Sequence, residues 1–465
     1  MVTVQQSTHH LPFGRVFIRR NLFMVYVISQ DGKPLMPCSD PIARLLLKQG
    51  KAKVKKREPF TIKLTYETTN YTQGLTLGVD TGSGTIGTAV SKDNGDIVYM
   101  SEVVVRNDIT DKMTQRAKYR RNRRNRKTRY RKARWLNRAS SIKKDRFSPT
   151  MQSKLHSHVR EIEYIQSILP VTEMVFETGQ FDMHLMKNPS LANPKVRPWG
   201  YQKGANYGFE NTKAMVLNRD NYTCQCCKGK HKDSKLEVHH IVFRSQGGSD
   251  EESNLLTLCH TCHKDLHSGK INPKLSGKVK GNLKYATQMN SIRKQLFRCY
   301  PNAIETFGYV TKVNRLHLGV AKEHYYDACT IATQGNAFNV KSNLYKKKCV
   351  SDGDFQKTKG IHSEQPIVTD KICGFRKFDK VRYFGNDYFI KGRMSTGYAI
   401  LMDIDGNQID FSTMPRGYKT PKKSNCKRIT ARKMVLFSIL TVAAGMQAGL
   451  ISVLPIRLVL IMLKP

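Results

Sequence analysis

Two sets of residues in this chain have the types and spacing that metal chemistry requires. The first is compact. Cys224 and Cys227 form one CxxC pair and Cys259 and Cys262 another, which is the spacing of a tetrahedral thiolate site for structural zinc. Cys226 is a further thiol able to replace Cys227. Between the pairs, the segment 236–263 reads LEVHHIVFRSQGGSDEESNLLTLCHTCH. A strand there delivers His239 and His240, a Gly247-Gly248 loop turns the chain, Asn254 stands on the return, and His263 follows the last cysteine. A zinc knuckle needs only the cysteines. The added histidines and asparagine suit a ββα-metal layout, in which one imidazole activates water while others hold magnesium or manganese.

The second set is dispersed. Residues 74–90, GLTLGVDTGSGTIGTAV, place an apolar strand ahead of Asp80 and a Gly-rich turn after it, where a phosphate backbone can come close. A strand at 172–176 runs into Glu177, and EHYYDACTIA at 323–332 carries His324 and Asp327 three residues apart, on one face of a helix. Its apolar face, Tyr325, Ala328, Ile331 and Ala332, seats that pair. Carboxylates at strand ends with a helical third element are what an RNase H-like sheet offers to divalent cations. A sugar-kinase or actin-like ATPase uses the same turn after its first strand.

The elements between these residues are marked by charge. Residues 112–138 hold 14 Lys or Arg among 27, with no acid, Gly or Pro, so a helix charged all round is expected. Arg116, Arg120, Arg121, Arg123, Arg124, Arg126, Arg129, Arg131 and Arg134 are its arginine row. Such a run repels itself unless a polyanion lies along it. The whole chain balances 79 basic against 36 acidic residues, a net +43, which points to a nucleic-acid partner. Eleven cysteines, an odd number, argue for a reducing compartment and a metal site over a disulfide framework.

Residues 25–64 read as a small docking unit: a strand VYVIS, a turn-rich piece at 31–37, a helix near 41–49, a basic link at 51–57 and a strand FTIKL. From 377 onward, short alternating strands with Gly385-Asn386-Asp387 and Asp405-Gly406-Asn407 turns predict a small antiparallel barrel. Residues 434–454 carry no charge and follow four basic residues. That run is long enough for a membrane span, yet Gly445, Gln447 and Gly449 dilute it, so a loosely packed extension is the first expectation and a span the second. Truncation after Thr430 is accordingly expected to leave activity intact and to improve solubility. The first 23 residues read as an upstream extension.

The order of these pieces resembles IscB, the transposon-encoded RNA-guided nuclease family related to the type II CRISPR effectors. KPLMP at 33–37, the histidine and cysteine block, and HYYDA at 324–328 carry the resemblance, which covers about residues 24–429. It implies an α/β fold in which an RNase H-like (RuvC) mixed sheet is split in three, at 73–107, 146–200 and 286–335. A PLMP module at 24–72 precedes it, an arginine-rich bridge helix lies at 108–145, and an inserted ββα-metal HNH domain with its zinc site lies at 201–285. A small C-terminal β-barrel at 336–429 would hold RNA and the target-flanking motif, ahead of an apolar tail at 430–465. Carried over, Asp80, Glu177, His324 and Asp327 form the RuvC magnesium site. His240 is the HNH general base, His239 and His263 its metal ligands, and Asn254 the brace of its loop. The implied partners are a guide RNA and a target DNA duplex, bound by one copy of the chain in a prokaryotic cytoplasm. Two other classes compete: an unguided structure-selective DNA nuclease and a non-catalytic RNA-binding protein.

Overall fold

The computed structural model describes residues 24–124, 147–200, 206–231, 233–246, 248, 250–271, 283–352, 355–357, 364–366, 374–394, 396–414, 417 and 419–440. The expectations placed on residues 1–23, on Arg126, Arg129, Arg131 and Arg134, on Gly247 and on the chain beyond 440 lie outside them. The chain divides into two compact units, one reaching to Thr178 and resuming at Leu296, the other being Gly179–Gln295.

The first unit begins with β1 (Met24–Ile28), β2 (Pro34–Ser39), α1 (Asp40–Lys48), β3 (Ala52–Lys56) and β4 (Thr61–Leu64). They form a four-stranded sheet in the order β2-β1-β4-β3, with Val25, Val27, Ala43, Ile62 and Leu64 as its core. Asp40 and a proline open α1, where a negative charge and a missing N–H are both tolerated. Two expectations are corrected here. Much of the turn-rich piece is strand β2, and the basic link is strand β3, because pairing with β1 and β4 satisfies their backbones. Exposed lysines are at home on β3, since it is an edge strand.

A meander follows: β5 (Leu75–Asp80), β6 (Thr85–Lys92) and β7 (Asp96–Val104), then α2 (Ile109–Arg124), α3 (Pro149–Gln166) and β8 (Glu173–Thr178). Ser148 starts α3 by accepting a hydrogen bond from the Met151 amide. The second unit contains α4 (Met183–Lys187), α5 (Arg197–Gly200), α6 (Thr212–Arg219), the hairpin β9 (Leu236–His240) and β10 (Leu255–Cys259), and α7 (His260–His267). The hairpin is antiparallel, with His240 opposite Leu255 and Leu236 opposite Cys259. Next comes α8 (Lys284–Cys299).

The first unit then resumes with β11 (Ile304–Phe307), α9 (Gly308–His317), α10 (His324–Ala332), β12 (Asn339–Val340) and β13 (Leu344–Cys349). Its described residues continue with the hairpin β14 (Phe355–Lys357) and β15 (Glu364–Pro366), then β16 (Lys380–Tyr383), β17 (Asn386–Arg393), β18 (Ala399–Met402), β19 (Lys427–Thr430) and β20 (Val435–Leu440). Eight strands make the central mixed sheet, in the order β11-β8-β5-β6-β7-β13-β20, with β12 also beside β7. The interior of β5 and β6 is buried on both faces, which explains their unbroken small and apolar sequence. Two glycines seat α10 directly on this sheet. A Cβ at Gly78 would overlap the backbone of Ala328 and Ala332, and one at Gly87 would overlap the His324 carbonyl.

The C-terminal strands do not close. β18-β17-β16-β19 is an open four-stranded antiparallel sheet over Val381, Ile390, Ala399, Leu401 and Phe411, too few strands to form the expected barrel. The expected loose tail is corrected only over residues 435–440, where β20 pairs along the whole of β13 and buries Leu436. No helix among the described residues is long and apolar enough to cross a membrane. A chain ended after Thr430 therefore exposes the β13 edge, and its melting temperature is expected to fall by several degrees relative to a chain ended after Leu440. Differential scanning fluorimetry on the two truncations checks this.

Candidate active sites

On the central sheet, Asp80 closes β5 and stands in register with Glu177 on the parallel neighbour β8. The turn after β5 is tied to β8 by the Thr81 hydroxyl, which donates to the Glu177 carbonyl at 2.6 Å. The first turn of α10, held low by Gly87, brings His324 Nδ1 to 2.6 Å from Asp80 Oδ2. One turn on, Asp327 Oδ1 lies 3.0 Å from Arg315 Nε of α9. Space is tight at the start of α9 as well, since a Cβ at Gly308 would lie 3.0 Å from Glu177 Oε1.

Burial and then the Asp80 charge push the Glu177 carboxyl up to about 7. The same two causes raise Asp327, while the hydrogen bond to Asp80 raises His324. Glu177 Oε2 is buried with no hydrogen-bond partner among the described residues. An acidic group so placed fits a cation. The four side chains do not converge on one point: the sets of ligating atoms all within 4.8 Å of one another, among the described residues, are the cysteine and histidine sets described below.

Sequence reasoning missed His158 and Arg315. His158 is fully buried on α3, with Nδ1 2.8 Å from the Lys154 carbonyl, and burial lowers it to about 4 against the pull of Asp80. Neither belongs to a sequence motif that marks a polar role.

The raised Glu177 has a consequence for stability. Its folded value lies above the ordinary 4.5, so its contribution is fully present below pH 4.5 and is lost as pH rises through about 7. In chelator, Glu177→Gln is expected to be more stable than the parent at pH 8 by about 1–3 kcal/mol. The gain should vanish below pH 4.5. Urea titrations at the two pH values check the sign.

In the second unit, the alternation of β9 sends its two histidines to opposite faces. His239 is buried and joins His263 and His267, whose ligating nitrogens all lie within 4.8 Å. His267 was not anticipated, although it stands four residues after His263 on α7 and so shares its face. His263 Nδ1 lies 2.7 Å from Glu237, and its Nε2 is 3.3 Å from that of His267. Burial, then the neighbouring imidazoles, lowers His239 to about 4, and burial lowers His263 too; neutral imidazoles are the form that binds metal. His240 stands apart, with Nε2 2.7 Å from Asp250, whose carboxylate also accepts from Arg244 at 2.8 Å. Asn254 is buried and bridges the Val242 backbone, accepting from its N–H at 2.8 Å and donating to its carbonyl at 3.0 Å. This holds the loop that follows His240.

Cys224, Cys227, Cys259 and Cys262 also bring their sulfurs within 4.8 Å, and Cys226 is outside that set. Three of the four are buried, beside Leu256 and Leu258. Four thiols and no other donor suit zinc.

A family model described as RRXRR protein matches residues 25–204, and one described as HNH endonuclease matches residues 224–269. Over 65 residues the chain is 37% identical to Anaredoxin of Nostoc sp., covering 14% of this chain and 83% of that protein. It is also 37% identical over 65 residues to the type IV methyl-directed restriction enzyme EcoKMcrA of Escherichia coli, covering 12% of this chain and 23% of that enzyme. Among solved structures, Streptococcus thermophilus Cas9 in complex with an AGGA PAM overlaps at TM-score 0.29 and 11% identity, covering 47% of this chain and 31% of that one. The complex with an AGAA PAM overlaps at 0.31 and 10%, covering 52% and 32%. The chain thus spans about a third of Cas9, an overlap that by itself fixes neither fold nor function.

Proposed function

We propose that this chain, with an RRXRR region ahead of an HNH endonuclease domain, is an IscB-like nuclease that cuts both strands of a DNA duplex under the direction of a guide RNA. The observation that carries this reading is that Asp80 and Glu177 stand in register on the central sheet of one compact unit, while His239, His263 and His267 bring their ring nitrogens together in the other. In the HNH unit, His240 takes the proton of the attacking water, Asp250 holds its imidazole, and Asn254 fixes the loop. His239, His263 and His267 would hold magnesium or manganese, and the four cysteines structural zinc. On the central sheet, a RuvC-type site, Asp80, Glu177, His324 and Asp327 would hold the divalent cations. Bound there, divalent cations polarise the phosphodiester and stabilise its attacking and leaving oxygens. HNH is assigned the guide-paired strand and the RuvC-type site the displaced strand.

The arginine-rich helix supports an RNA partner. On α2, Met113, Gln115 and Tyr119 are half-buried while Arg116, Arg120 and Arg121 are exposed, so one face rests on protein and the other is open to a phosphate backbone. Arg123 and Arg124 continue the row in its last turn. The open C-terminal sheet is assigned to the RNA and the target-flanking motif.

Arg120→Ala with Arg121→Ala is expected to weaken RNA binding and to reduce the slope of log affinity against log salt by about 1.5, two phosphate contacts' worth. Filter binding across a salt series measures it, and an unchanged slope takes α2 off the nucleic acid. The likeness to a restriction enzyme favours the rival reading, an unguided DNA nuclease. Protein purified free of RNA that still cuts DNA would support that rival.

A further inference from the structure

A cavity of about 540 Å³ lies in the first unit, outside both candidate sites, where β3, α3, β13 and β20 meet side chains of the C-terminal sheet. Its inner cations are neutralised. Lys347 is held by Glu161 and the Tyr99 hydroxyl, each at 2.7 Å, and Lys380 by Glu58 at 2.5 Å. The rest of its basic wall is not: Lys55, Lys56, Arg57, Arg160 and Lys433 make no ion pair with a carboxylate among the described residues. The Lys56 ammonium sits 4.7 Å from the Tyr164 ring centre, and Lys347 sits 4.2 Å from it. Burial lowers Lys56, and the charges of Lys55, Lys433 and Lys347 lower it further, so the cluster repels itself. Natural surfaces relieve such repulsion with an anion.

Its apolar wall is made of Val103, Phe389, Leu436 and Phe437. The volume falls within the roughly 300–1,000 Å³ of small-molecule pockets, more than a bare phosphate fills. From this juxtaposition we propose that the cavity binds a nucleotide, its base against the apolar wall and its phosphate on Lys55, Lys56, Arg160 and Lys433. The nucleotide is either one turned out of a bound RNA strand, which rests on the guided reading above, or a free mononucleotide.

The full-length protein tests both sources. Ultraviolet cross-linking of the complex as purified, followed by peptide mapping, is expected to place nucleotide adducts on peptides containing Tyr164 or Phe437 if the source is RNA. Equilibrium dialysis of RNA-stripped protein with AMP and UMP reports the free source. Lys56→Glu with Lys433→Glu is expected to reduce whichever signal appears at least tenfold, and Lys53→Glu, an exposed position on the same strand, to leave it unchanged. Neither adduct nor dialysis signal from the unmodified protein overturns the proposal. Protein that carries no RNA defeats the guided reading instead, and the dialysis then decides the cavity alone.

Discussion

Asp80→Ala is expected to abolish cutting of the displaced strand, by about three orders of magnitude or more, and to leave the guide-paired strand cut at the parental rate. The reason is positional. Asp80 faces Glu177 across a parallel strand pair and accepts the His324 contact, so its loss removes the residue on which the other ligands are aligned. Taking away one carboxylate of a two-cation site removes several kcal/mol of transition-state stabilisation. His240→Ala is expected to do the reverse, slowing the guide-paired strand by about 10²–10⁴, the usual contribution of a general base. Strand-specific end labelling reads each rate separately. Loss of both cuts from either substitution contradicts the assignment of two independent sites.

Zinc removal is expected to have the second large effect, confined to the HNH unit. The sulfurs of Cys224, Cys227, Cys259 and Cys262 sit in a cluster whose buried apolar company is Leu256 and Leu258, with Leu236, Ile241, Leu266 and Ile271 partly buried around it. So small a core does not hold a ββα unit without its metal, and structural zinc commonly contributes on the order of 10 kcal/mol to such folding. Cys262→Ser, or a strong zinc chelator with magnesium restored, should therefore abolish the guide-paired cut and raise hydrogen exchange across β9, β10 and α7. Cutting of the displaced strand and exchange in β5 and β8 should stay unchanged. Parental exchange in zinc-free protein would show that the thiols are not a metal site.

Much of this arrangement was legible in the sequence, because strand-ending carboxylates and CxxC pairs are local patterns. Asp80 and Glu177 end apolar runs, and the register that pairs them follows from parallel β5 and β8. What was not legible depends on distant partners. Gly78 and Gly87 look like ordinary small residues until α10, far along the chain, lies against them. His158 and Arg315 are polar groups on helices, and the charges that give them meaning, Asp80 on β5 and Asp327 on α10, belong to other elements. His267 was visible as an i,i+4 partner of His263, but the cysteine pairs drew attention away from it. Residues 435–440 illustrate the ambiguity of a short apolar run, which suits an edge strand as well as the start of a membrane span.

The central claim is that RNA directs the cutting, and one measurement tests it most directly. The RNA that accompanies the purified protein is sequenced, its variable segment is replaced, and the reassembled complex is given two DNA duplexes, one matching the old segment and one the new. Both strands of the newly matched duplex are expected to be cut and the old one spared. Cutting that ignores the replacement, or proceeds equally well without RNA, would contradict the claim.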